Sequence, residues 1–143
     1  MRFMMLVRAD EATEAGVLPS RELVEEMGRY NEELVKAGVL LAADGLHPSS
    51  KGARVEFHAG RPTVTDGPFA EAKELIAGFW IIQVTSKEEA VQWASRVPFG
   101  EGGVVELRQV FEPGDFPEEI VTPEAAAREE KLREELQRQS AQR

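Results

Sequence analysis

Apolar and polar positions alternate along the chain in two distinct rhythms, one of strands and one of helices. Residues 2–8, Arg-Phe-Met-Met-Leu-Val-Arg, form a continuous apolar run bounded by charge, the pattern of a strand buried on both faces. A turn-rich stretch, residues 15–20, then leads to Ser20, a side chain suited to capping a helix, with Glu22 well placed in the first turn. Leu23, Met27, Tyr30 and Leu34 make one apolar stripe over residues 21–37, and Gly38 is the natural stop. Residues 39–43 read as a second strand ending at Asp44-Gly45. Residues 54–58 and 62–65, separated by Ala59-Gly60-Arg61, read as a hairpin. After a break at Asp66-Gly67-Pro68-Phe69, residues 78–85 are strongly β-prone. Ser86-Lys87-Glu88-Glu89 then has the form of a capping box opening a second helix, with Ala90, Val91, Trp93, Ala94 and Val97 as its apolar face. Residues 104–111 set Val105, Leu107 and Phe111 against Glu106 and Arg108, a strand with one polar face. Pro123 stands at the start of a tail helix whose apolar stripe is thin, essentially Leu132 and Leu136.

The order strand, helix, strand, hairpin, strand, helix, strand predicts an α+β fold. With right-handed crossovers it becomes a ferredoxin-like βαββαβ sheet with a small hairpin insertion and helices on one face. Residues 1–113 would form this domain, and residues 114–143 a loop and a charged C-terminal helical tail. Runs 2–8 and 78–85 are apolar on both sides, so the sheet face without helices needs a cover. A homodimer closing sheet against sheet is the economical solution.

Composition narrows the function classes. The chain of 143 residues has 26 acidic and 17 basic side chains, a net charge of −9. That balance argues against nucleic acid and anionic membrane surfaces as partners, since both draw their affinity from clustered Lys and Arg. Five acidic and five basic groups lie in residues 122–143, so the remaining 21 acidic and 12 basic groups, and the whole −9, belong to residues 1–121. Zero cysteines exclude disulfides, thiolate metal sites and cysteine nucleophiles. No apolar run approaches the roughly 20 residues of a membrane span and no leader pattern opens the chain, so a cytoplasmic protein is expected. His47 and His58 are the two histidines, and their spacing does not form a metal site. No metal or other cofactor is expected.

Only four of the acids are aspartates: Asp10, Asp44, Asp66 and Asp115. Asp115 in Pro-Gly-Asp-Phe-Pro has a turn role and Asp10 reads as a loop residue. Asp66 has two readings. Asp-Gly-Pro is a turn sequence, and the same turn would present a carboxylate as a general base. Lys73 and Glu74, just downstream, would form an ion-pair network with it or contact a substrate. His47 precedes Pro48 near Asp44, giving either an Asp–His base or a solvated loop histidine. His58 falls at the hairpin tip. Glu106 and Arg108 share a strand face. Facing a cleft, Arg108 would clamp an anionic substrate; facing outward, both would be solubilising charges. Tyr30 lies on the apolar stripe of the first helix, as a core residue or as a lining residue of the substrate site.

The stretch Asp66-Gly-Pro-Phe-Ala-Glu-Ala-Lys-Glu74 followed by Gly78-Phe-Trp-Ile-Ile resembles the signature of the DGPF group within the YCII-related proteins. Ala43-Asp-Gly-Leu46, Glu88-Glu-Ala-Val-Gln-Trp-Ala94 and Val105-Glu-Leu-Arg108 extend the resemblance over residues 1 to 111. It implies a dimeric α+β barrel of ferredoxin-like subunits. YCII-related proteins use a His–Asp pair with the histidine on the first helix, and residues 21–37 contain none; Met27 and Tyr30 stand on its buried stripe. The resemblance therefore implies two readings. One is a small-molecule-binding homodimer, with cofactor-independent acid–base chemistry around Asp66 and His47 as its enzymatic form. The other is a non-catalytic regulatory module associated with a sigma factor.

Overall fold

In a computed structural model that describes residues 1–143, the side chain of Lys73 excepted, the run at 2–8 is strand β1 (Arg2–Arg8). It is followed by α1 (Glu11–Glu14), α2 (Arg21–Lys36), β2 (Leu40–Gly45), β3 (Ala53–His58), β4 (Arg61–Asp66), β5 (Ile76–Gln83), α3 (Lys87–Ser95), β6 (Val105–Gln109) and α4 (Pro123–Ala141). The chain divides into two compact units, Met1–Val110 and Phe111–Arg143.

In the first unit β2, β5, β1 and β6, in that spatial order, make a four-stranded sheet whose neighbours all run antiparallel. β3 and β4 form a separate two-stranded ribbon. Alternation along the two central strands decides the core. Phe3 and Met5 of β1 and Trp80 and Ile82 of β5 are buried, together with Tyr30 and Leu34 of α2 and Ala90 of α3. Both longer helices of this unit thus cover one face of the sheet. α2 begins where Ser20 Oγ accepts the Leu23 N–H at 3.1 Å, and ends before Gly38, which takes the left-handed conformation (φ 72°) that only glycine adopts cheaply. Tyr30 is the bolt between the helices. Its hydroxyl donates to the Trp93 carbonyl at 2.7 Å, and its ring stands edge-on to Trp80, with centroids 5.6 Å apart. The Trp80 indole N–H in turn donates to Asn31 Oδ1 at 2.8 Å.

Three local expectations are modified. Asp10 is a helix cap: its carboxylate accepts the Thr13 N–H and Thr13 Oγ1 accepts the Asp10 N–H, which holds the four-residue α1. At α3, Ser86 caps as expected, but the Glu89 carboxylate accepts from the Thr85 N–H and hydroxyl, both at 2.8 Å, rather than closing the box on Ser86. Those donors hold the Glu89 carboxyl below the usual carboxylate range. The last strand stops at Gln109, short of Phe111.

In the second unit Asp115 accepts the Glu112 N–H at 2.8 Å in a tight turn, the rings of Phe111 and Phe116 lie 4.8 Å apart, and Thr122 caps α4 through the Ala125 N–H at 3.2 Å. α4 is laced by Glu129–Arg133 and Glu135–Arg138 pairs and buries none of its residues.

Candidate functional site

The sheet face opposite α2 and α3 is built from the other half of the same alternation. Strand register places Asp44, Phe79, Leu6 and Glu106 in one row across β2, β5, β1 and β6. Ala42, Ile81, Met4 and Arg108 make the next. Met4, Leu6, Phe79 and Ile81 are half-buried, whereas their neighbours on the helix side are fully buried. Both rows are apolar in the middle; the first is charged at both ends and the second at its β6 end alone.

At the β6 end, Glu106 sits between two arginines. Its carboxylate lies 3.7 Å from Arg8 Nη1 and 3.5 Å from Arg108 Nη1. The side chains of Arg8 and Glu106 are 36% exposed and that of Arg108 is 72% exposed. Exposed pairs of this kind add less than about 1 kcal/mol to stability. Their chemical content is the surplus: two guanidiniums share one carboxylate, leaving a cation at the border of an apolar surface, suited to a carboxylate or phosphate. Arg8 was not legible as part of this group, because only the β1–β6 register reveals which side of β1 Glu106 meets.

The Asp66–Phe69 stretch is a structural joint. Asp66 is the last residue of β4, exposed and paired with Ala53. The Gly67 N–H donates to the Gly52 carbonyl at 3.0 Å, and the Phe69 N–H to Ser49 Oγ at 3.0 Å. A Cβ on Gly67 would stand 1.8 Å from the Ser49 carbonyl oxygen, so this position accepts glycine alone. Ser49 is held from behind by Glu14, whose carboxylate accepts its N–H at 3.0 Å and its hydroxyl at 2.5 Å. The Arg54 guanidinium stacks 3.9 Å above the Phe69 ring. One hydroxyl and one carboxylate thus knit α1, the turn at Ser49–Lys51 and the Asp66–Phe69 segment together.

The candidates divide among separate places. Glu106 and Arg108 share the face opposite α2 and α3 on edge strand β6, while Asp66 ends the hairpin ribbon. His47 is exposed in the link between β2 and the Ser49–Lys51 turn, and none of the described ion pairs joins it to Asp44. Glu74 is exposed in the short turn Ala72–Glu74, and the Lys73 side chain lies outside the described residues. Tyr30 is 4% exposed and lies on the helix side of the sheet. Burial pushes its hydroxyl pKa up to about 12. His58 at the ribbon tip pairs with Glu56 at 3.3 Å.

An open groove of about 420 Å³ between α3 and β6, lined by Ala94, Val97, Phe99, Val105 and Leu107, contains none of the candidate residues. Among the described residues no group of three or more His, Asp or Glu side chains is arranged to hold a metal ion, and no helix is long and apolar enough to cross a membrane.

Comparison with known proteins adds a family. Residues 1–113 match the YCII-related domain. An uncharacterized protein of Rhizobium meliloti (strain 1021) is 31% identical over 99 residues, covering 66% of this chain and 80% of that protein.

Proposed function

The chain belongs to the YCII-related domain family, and from that premise we propose that it is a homodimeric, ferredoxin-like α+β barrel protein of the DGPF group that binds a small anionic molecule. The fold reading is supported by the antiparallel order β2, β5, β1, β6 with α2 and α3 on one face. The group reading is supported by Asp66-Gly67-Pro68-Phe69 and its fixed place against Ser49.

The observation that carries the functional reading is the sheet face opposite α2 and α3. Its apolar centre, Met4, Leu6, Phe79 and Ile81, calls for a second sheet, and its edge carries the Arg8–Glu106–Arg108 cluster. Closing two such faces would withdraw the arginines from water. A surplus guanidinium at the border of the cleft would then bind a carboxylate far better than it does in bulk solvent. The ligand class is a small carboxylate or phosphate ester.

The test is a thermal-shift screen of small mono- and dicarboxylates and phosphate esters, followed by calorimetry of any ligand found. Arg108→Gln and Arg8→Gln each weaken binding at least tenfold, and Asp66→Asn and His47→Ala leave it unchanged. Retention of full affinity by the double arginine variant would refute the site.

A second reading rests on α4. Leu132 and Leu136 are 65% and 63% exposed, one turn apart, on a helix with no buried residue. That stripe suits a helix-in-groove contact with a protein partner such as a sigma factor. Loss of a captured sigma factor on deleting residues 122–143, with retention in Arg108→Gln, would favour it over the first.

A further inference from the structure

Every residue of the β3–β4 ribbon is exposed, yet the ribbon is not polar. Its register sorts it into two faces. Arg54 with Thr65, Glu56 with Thr63 and His58 with Arg61 make one side polar. Val55 with Val64 and Phe57 with Pro62 make the other side apolar, closed at its base by Ala53 and Asp66. Phe57 is 76% exposed, Val64 64% and Val55 52%. An isolated two-stranded ribbon is at best marginally stable in water, and clean alternation marks a ribbon with one covered face. Its base is nonetheless secured by the Gly67–Gly52 hydrogen bond and by Arg54 on Phe69.

We propose that the β3–β4 ribbon is a dimerisation arm whose apolar face, anchored by Phe57, packs on a second copy of this chain at the rim of the sheet contact. This rests on the homodimer reading above and deepens it. Area points to the occupant. A four-stranded face, with strands ~4.8 Å apart and about five residues of ~3.3 Å in common, offers on the order of 300 Å². A stable interface buries roughly 800 Å² per partner. The ribbon's own face adds about 200 Å² on the same spacings. Two-fold symmetry makes each copy both give an arm and receive one, so the arms add about 400 Å² and bring the total close to that requirement. Charge agrees. Two copies at −9 each repel, and residues 53–66 carry Arg54 and Arg61 against Glu56 and Asp66, a neutral segment able to lead the contact.

Sedimentation equilibrium of the full chain tests this through three single variants. The wild type is expected to be a dimer. Phe57→Glu, present twice per dimer, is expected to weaken association at least a hundredfold. Thr63→Glu, on the polar face, is expected to leave it within threefold. Circular dichroism should match the wild type in both, because the ribbon contributes nothing to the buried core. Ile81→Lys separates the two readings. If Ile81→Lys dissociates the dimer and Phe57→Glu does not, the arm is refuted and the sheet contact stands. If Phe57→Glu dissociates it and Ile81→Lys does not, the ribbon still joins the two copies, while the sheet contact and with it the rim placement of the arm are overturned. A wild-type monomer at 100-micromolar-scale concentration overturns both.

Discussion

Replacing Gly67 by alanine probes the joint that gives the Asp66–Phe69 segment its shape. The new Cβ would lie 1.8 Å from the Ser49 carbonyl oxygen and 2.6 Å from its carbon, both backbone atoms. Relief requires the Ser49 segment to withdraw by more than 1 Å from its 1.8 Å approach. That movement strains the Gly67–Gly52 bond, the Phe69–Ser49 bond and the Ser49–Glu14 pair together. At a net value of about 1 kcal/mol for each of the two neutral bonds and about 1.5 for each of the two to the carboxylate, the four are worth about 5 kcal/mol, and weakening them by somewhat more than half costs about 3 kcal/mol. At roughly 4 °C per kcal/mol for a chain of this size, Tm falls by about 12 °C. Urea unfolding followed by tryptophan fluorescence reads the same loss, since Trp80 sits in the core. Gly100→Ala is the control: its Cβ meets nothing within 4 Å, and it should stay within about 0.5 kcal/mol of wild type. A Gly67→Ala protein melting within 2 °C of wild type would refute the steric account of the motif.

Three further outcomes follow from α2. Tyr30 is the chain's single tyrosine, so ultraviolet titration reads it alone; its midpoint should lie near 12, well above the ordinary 10. The folded state then holds the proton more tightly, so the stability from this group is complete below pH 10 and drains as pH rises from 10 toward 12. A midpoint at 10 in still-folded protein would contradict the buried placement. Leu34→Ala removes a side chain of 0% exposure and should cost 2 to 5 kcal/mol, roughly, in urea titrations. Gly28→Ala, inside α2 with open space around the new Cβ, should stabilise by about 1 kcal/mol; a destabilised variant would mean that surface is not free.

Much of the fold could be read from periodicity because periodicity reports burial. The stripe Leu23, Met27, Tyr30, Leu34 is the buried side of α2, and Ser20 and Ser86 each cap the helix they precede. What escaped were properties of pairs distant in sequence. Apart from their polar ends β1 and β5 are apolar on both faces, so their sequence cannot tell the face under α2 and α3 from the opposite one; the register with Glu106 and Arg108 does. Asp66 drew attention as the acidic member of its motif. The steric demand falls on Gly67, whose counterpart Ser49 is a separate segment with no local signal of its role. α1 was missed because four residues are too few for a period, although Asp10 and Thr13 have capping spacing.

The single hydrogen bond from Gly67 to Gly52 means that the chain leaves for the hairpin and returns from it at one point. Everything between is a closed excursion, tied off before β5 begins. Lengthening or trimming such an excursion changes loop-closure entropy only logarithmically. The four-stranded sheet would therefore tolerate hairpins of many lengths, or a grafted segment of another kind, as long as the glycine gate is kept. In evolutionary terms the arm and the sheet can diverge at separate rates, the one free to retune its contacts while the other is held by its core.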